Sequence, residues 1–165
     1  MKEIELTQDQ VALVDDEDYE WLSGWKWCAG KRDLSYATRS LPRIVNTRRI
    51  TLSMHNEIWE YHYGPIPDGY TVDHEDRNPL NDQKYNLRLA TAAQQVRNRG
   101  MNKNNTSGYI GVSFHKRDQK YRPSVYVDHK TISLGYFDDP EEAARVRDEA
   151  ALRYYGEFAV LNFPG

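Results

Sequence analysis

Apolar residues in this chain fall in short runs whose spacing switches between two and three-to-four along its length. The first 53 residues read as short strands around an acidic turn. There "DDEDYEWL" predicts a brief helix with its acids at the start, where the helix dipole favours them, and "LSYATRS" and "TRRITLS" alternate as strands. Trp21, Trp25 and Trp27 read as core. In "MHNEIWEYHY", Met54, Ile58, Trp59 and His62/Tyr63 keep a helical spacing, and "GPIPDG" ends that helix. "YTVDH" and "NLRLAT" predict two paired strands, Leu87 and Leu89 pointing inward, with the polar loop "EDRNPLNDQKY" between them. Thr91 and Gln94 form a capping-box pattern that opens a helix over "AAQQVRNRG", and Gly100 suits the position just past its end.

Residues 109–137 predict three further strands, each with a period of two. Val112, Phe114, Val125, Val127, Ile132 and Leu134 point inward; Ser113, His115, Arg122, Ser124, Tyr126, Thr131 and Ser133 point outward. Pro123 falls inside the middle strand, where its missing N–H is awkward. A helix follows, with Asp139 as cap, Pro140 in the first turn, Glu142 completing a capping box and Gly156 as stop. Ala143, Ala144, Ala150, Ala151 and Tyr154 form a small-residue stripe that can lie close on a sheet. The predicted class is α+β: a β-rich N-terminal region and a hairpin-helix core, joined to a three-stranded antiparallel sheet packed on one helix.

Composition narrows the function. The 165 residues carry 22 Lys+Arg against 25 Asp+Glu, net −3, with a mean hydropathy of −0.86. No apolar run is long enough to span a bilayer, and "MKEIELTQDQ" has no apolar signal region, so the expectation is a cytoplasmic protein. Cys28 stands alone, which excludes an intrachain disulfide and a multi-cysteine site; neither structural zinc nor a disulfide-linked partner is expected. The net sign opposes a general coat of polyanions. Between Arg97 and Arg122, however, seven basic residues face one acid. Arg43, Arg48 and Arg49 read equally as a phosphate-contacting edge or a solvated hairpin. The Gly/Asn/Ser segment "RNRGMNKNNTSG" reads as a linker. The expected organisation is 1–53, 54–100, a linker at 101–107, and 108–165.

Asp73, His74, Asn86 and Gln95 are placed by these elements to converge on one cleft. A His takes a proton from water near neutral pH, and Asp73 with a helix amide oxygen suits Mg²⁺, which accepts one or two protein oxygens. The stretch "TVDHEDRNPLNDQKYNLRLAT" resembles the ββα-metal core of HNH nucleases of the phage and intron homing type, over about residues 54–100. The resemblance implies His74 as general base, Asp73 as metal ligand and Asn86 as the residue that orients the imidazole. The family's third motif position, usually His or Asn, is Gln95, one methylene longer, and Asn98 is the reserve ligand one turn on. His55 reads as a packed, hydrogen-bonded histidine.

"GYIGVSF" and "LGYFDDPEEAARVRDEAALRYYGEFAVLNFP" resemble the Apetala-two/ethylene-response-factor DNA-binding domain over about residues 105–164. That resemblance implies a sheet face in the DNA major groove. Here Ser113, His115, Ser124, Tyr126, Thr131 and Ser133 stand where plant members carry Arg and Trp, and Arg122, Lys116, Arg117 and Lys120 supply the charge. Arg97, Arg99 and Lys103 would follow the phosphate backbone. The reading is therefore a divalent-metal DNA endonuclease, with Mg²⁺ or Mn²⁺, acting on duplex DNA as a monomer or weak dimer. Its rivals are a DNA-binding regulator with an inactive core and a structure-selective nuclease.

Overall fold

A computed structural model of the chain describes residues 1–30, 36–42, 49–98, 100–101 and 104–164. Arg43, Arg48, Arg99 and Lys103 lie outside the described residues. The fold is α+β, and the chain divides into two compact units, Met1–Ala92 and Ala93–Gly165. That division lies earlier than the composition shift near residues 100–107. Arg97, at the end of the short third helix, places its guanidinium over the Tyr155 ring at 5.3 Å, and both residues belong to the second unit.

The first unit begins with β1 (Lys2–Glu5) and β2 (Val11–Val14), an antiparallel pair, followed by α1 (Asp16–Ser23). A three-stranded sheet runs β3 (Cys28–Ala29), β4 (Ala37–Ser40), β5 (Thr51–Ser53). Next come α2 (Met54–Tyr63) and the pair β6 (Tyr70–His74) and β7 (Leu87–Thr91), registered from Tyr70↔Thr91 to His74↔Leu87. The core gathers Val14, Leu22, Trp27, Ala37, Met54, Ile58, Val72 and Leu87. Full burial of a large side chain such as Leu22, Met54 or Ile58 contributes about 2 kcal/mol.

Two expectations change here. Of the three tryptophans only Trp27 is fully buried, its indole N–H donating to Leu22 O; Trp25 is 53 % exposed under the Arg39 guanidinium. The cation covers the indole face, so packing of Trp25 does not require enclosure. On β7, Leu87 is buried and Leu89 half-buried, but Ala90, which alternation with Leu87 and Leu89 places outward, is fully buried: the strand is covered on both faces, and alternation holds only where one face is wet.

The second unit opens with α3 (Ala92–Arg97) and continues as an antiparallel sheet of β8 (Val112–His115), β9 (Lys120–Val127) and β10 (Lys130–Ser133), β9 central, backed by α4 (Pro140–Tyr155). Pro123 sits opposite Val112, and its carbonyl accepts from Leu134 N–H just past the end of β10. Its missing donor therefore falls where the β10 ladder has finished. Part of the segment read as linker is tied down: Asn105 Oδ1 accepts from the N–H groups of Ser107 and Gly108, and Ser107 Oγ donates to Val112 O. An Asx turn thus leads into β8. Phe114, read as inward, is partly exposed at the sheet edge against Tyr121. On α4 the buried aromatic is Tyr155, not Tyr154; its hydroxyl accepts from Tyr126 N–H at 2.6 Å.

Candidate active site

His74 ends β6, buried with 4 % exposure, opposite Leu87. Its Nε2 lies 2.8 Å from Oδ1 of Asp82, a residue with no exposure at all. Burial pushes the Asp82 carboxyl up from its ordinary value, and the hydrogen bond and charge of His74 work against that push. A proton sits between these two atoms. When it resides on Nε2, Nδ1 is the basic nitrogen of the ring.

Asp82 is held there by the N-terminal region. Its N–H donates to Leu13 O on β2, Leu13 N–H donates to Leu80 O, and Asp15 accepts from Lys84 N–H and Gln83 Nε2. Residues 80–84 are thereby laced to the β2–α1 corner. Asn86, also buried, works on the same loop. Its Oδ1 accepts from Asp76 N–H, while its Nδ2 donates to Asp76 Oδ1 and to Asn81 O, the carbonyl just before Asp82. The Asn86 amide thus closes the loop that carries Asp82.

Asp73, half-buried, faces Arg88 across the register, with Arg88 Nε 3.5 Å from its carboxylate. The Asp73 carboxylate is a hard oxygen donor of the kind a divalent ion takes, and the Arg88 guanidinium beside it competes for its charge. Gln95 lies half-buried on α3; Asn98, just past it, is 7 % exposed, its N–H donating to Gln94 O. Both belong to the second unit.

Sequence patterns missed three neighbours of His74. His55, on α2, is 6 % exposed and stands edge-on to His74 with ring centroids 5.0 Å apart. The expected hydrogen bond is missing at one nitrogen: His55 Nδ1 has no partner among the described residues. Burial, then the positive charge of His74, lowers its pKa to about 3. Tyr36 lays its ring against His55 and His74, at 4.7 and 5.7 Å, and burial with the negative charges of Asp73 and Asp82 raises its phenol. His55, His74 and Asp82 bring one possible ligand atom each within 4.8 Å of one another. The missing signal was tertiary: α2 and the loop reach His74 through packing, and no spacing along the chain encodes that. An acid in the loop between His74 and Asn86 was the nearest hint.

A family model described as HNH endonuclease matches residues 53–97, which span β6, the loop and β7. A protein of Acanthamoeba polyphaga mimivirus described as an uncharacterized HNH endonuclease is 31 % identical over 155 residues, 92 % of this chain and 74 % of that protein. The chain belongs to the HNH endonuclease family. Protein 3.8 of Escherichia phage T7 is 45 % identical over 108 residues, 64 % of this chain and 86 % of that protein. The C-terminal region of this HNH chain has a separate likeness. An AP2/ERF and B3 domain-containing protein of Oryza sativa subsp. japonica is 41 % identical over 76 residues, 46 % of this chain and 18 % of that protein.

In the second unit of this HNH chain, the register places the outward residues on one sheet face. Ser113 pairs with Arg122, His115 with Lys120, Ser124 with Ser133 and Tyr126 with Thr131. Lys116 and Arg117 are exposed in the β8–β9 turn. Lys120 pairs with Asp138 and His115 Nδ1 lies by Asp118, each at 3.1 Å, so the charge of Lys120 is already answered by an acid.

Proposed function

We propose that the chain is a homing-type, divalent-metal HNH endonuclease that hydrolyses phosphodiester bonds of duplex DNA, with His74 as general base. The observation that carries this reading is the buried His74–Asp82 pair at the mouth of the β6–β7 hairpin. Asp82 keeps the ring proton on Nε2, and Nδ1 takes the proton of the attacking water. Asn86 orients the imidazole indirectly, by holding the loop that presents Asp82. Asp73 would hold Mg²⁺ or Mn²⁺, and the motif spacing that marks Gln95, with Asn98 in reserve, is the argument for a further, amide ligand. Such an ion, when bound, offsets charge on the scissile phosphate and leaving oxygen.

The likeness to an AP2/ERF protein and the polar face of the β8–β10 sheet support duplex DNA as the partner. We assign residues 54–100 to the nuclease core, 1–53 to its support, 101–107 to the connection and 108–165 to DNA binding. Ser113, His115, Arg122, Ser124, Tyr126, Thr131 and Ser133 meet the groove, with Lys116, Arg117 and Lys120 beside them. Arg97, Arg99 and Lys103 follow the backbone phosphates. The protein acts as a monomer or weak dimer in a host cytoplasm.

Supercoiled plasmid carrying the flanking genomic locus, incubated with the protein and Mg²⁺ or Mn²⁺, tests the reading. Nicking should stop with chelator, fall on the order of 10²- to 10⁴-fold in His74→Ala, and fall roughly 10- to 100-fold in Asp82→Asn at unchanged DNA affinity. Wild type that nicks no better than His74→Ala, while still binding the locus, makes the chain a DNA-binding regulator with an inactive core.

A further inference from the structure

We propose that His55, His74 and Asp82 form a second cation site, selective for a late transition-metal ion such as Zn²⁺, whose occupation switches the nuclease off. The inference rests on His74 being the base.

The donor set is two imidazoles and one carboxylate, from α2, the end of β6 and the loop before β7. Nitrogen-rich sets of this kind take Zn²⁺ and its neighbours and suit Mg²⁺ poorly. The ligand atoms lie within 4.8 Å of one another. Tetrahedral zinc, with bonds of about 2.0–2.2 Å, needs ligand atoms roughly 3.3–3.6 Å apart. Closing to that spacing asks for small adjustments of the three side chains about their rotamers.

Two buried atoms of the cluster, His55 Nδ1 and Asp82 Oδ2, have no hydrogen-bond partner among the described residues. Orphaned buried polar atoms are costly, and a cation would satisfy both. It would also answer the charge of a carboxylate that is completely enclosed. Among the described residues, the Tyr36 ring, itself 45 % exposed, lies against both imidazoles.

The consequence for catalysis follows from proton positions. An ion on Nε2 of His74 replaces the proton held there by Asp82, and that proton moves to Nδ1. The ring stays neutral, but Nδ1 becomes a donor and cannot accept from water. Magnesium at Asp73 would then sit beside a base of the wrong tautomer.

The test uses the full chain stripped of metal. Titration with Co²⁺, followed by the visible absorption of a tetrahedral site and then displaced by Zn²⁺, should show one such ion per chain. His55→Gln and Asp82→Asn should each weaken it at least tenfold, whereas Asp73→Asn should not. Stoichiometric Zn²⁺ should inhibit Mg²⁺-driven nicking by wild type tenfold or more, and inhibit His55→Gln far less relative to that variant's own rate. No Co²⁺ bound by wild type, or binding that survives both His55→Gln and Asp82→Asn, overturns the site. Binding lost in Asp73→Asn also overturns it, by placing the ion at the magnesium ligand. Circular dichroism and urea midpoints identify any variant that fails to fold, and the wild-type titration, which needs no variant, overturns the site by itself when no Co²⁺ binds. A wild type that binds Co²⁺ but never nicks overturns the nuclease reading and the switch built on it, while the ion-binding site stands.

Discussion

A neutral histidine enclosed beside a second imidazole carries its own pH signature. His55 has a folded pKa near 3 against an ordinary 6.5, because burial and the charge of His74 both oppose its protonation. Between those values the unfolded chain takes up a proton that the folded chain refuses. Stability therefore rises with pH across that window and is lost as pH falls from about 6.5 toward 3. Urea midpoints measured from pH 7 to pH 4 should fall less steeply for His55→Gln than for wild type, by up to one proton's worth of slope. Equal slopes would show that His55 is protonated in the folded chain. The placement of Asp73 and His74 at a strand end and of Asn86 beside a strand start was legible in the sequence because the motif is local, two strands joined by one loop. Asp82, Tyr36 and His55 were not, because what makes them neighbours is the docking of that loop on β2 and of α2 on the sheet.

At the scale of elements, α4 shows how a pattern can be right in outline and silent on its most costly feature. Its alanines at 143, 144 and 151 are buried as small-residue spacing predicts. Within the same face Arg147 and Asp148 are buried too, at 4 % and 7 % exposure. Asp148 accepts from the backbone N–H groups of Asn162 and Phe163 and from Arg147, while the Arg147 guanidinium also donates to Val160 O. A residue-type rule assigns both to solvent; only the returning C-terminal segment makes them internal. Asp148→Ala leaves Arg147 enclosed without its counter-charge, so chemical denaturation should show a loss of about 3 kcal/mol or more. Gly111 records the same crowding. With φ of +72°, a Cβ there would meet Arg147 Nε at 2.7 Å. Strand and helix positions were legible because period and caps are local properties. The shift from Tyr154 to Tyr155 in the core was not, because the last helical turn is set by the hydroxyl's bond to β9.

Over the whole molecule the charge of −3 separates along the chain. Met1–Ala92 holds 11 basic and 16 acidic side chains, net −5; Ala93–Gly165 holds 11 and 9, net +2. The net charge of the first unit opposes a polyanion at long range, and on the proposed reading the second unit would raise its effective concentration on DNA. Arg122→Ala should weaken DNA binding and reduce the slope of log affinity against log salt by about one unit. An unchanged slope removes Arg122 from the phosphate contacts. The second unit also closes on itself. Asn162 accepts from Ile110 N–H and donates back to Ile110 O, so one side chain pins the C-terminal segment to the turn before β8. A module whose entrance and exit lie together asks only a point of attachment from the chain around it. It can be spliced in as a cassette, which accords with a similar segment covering only 18 % of a much longer plant protein.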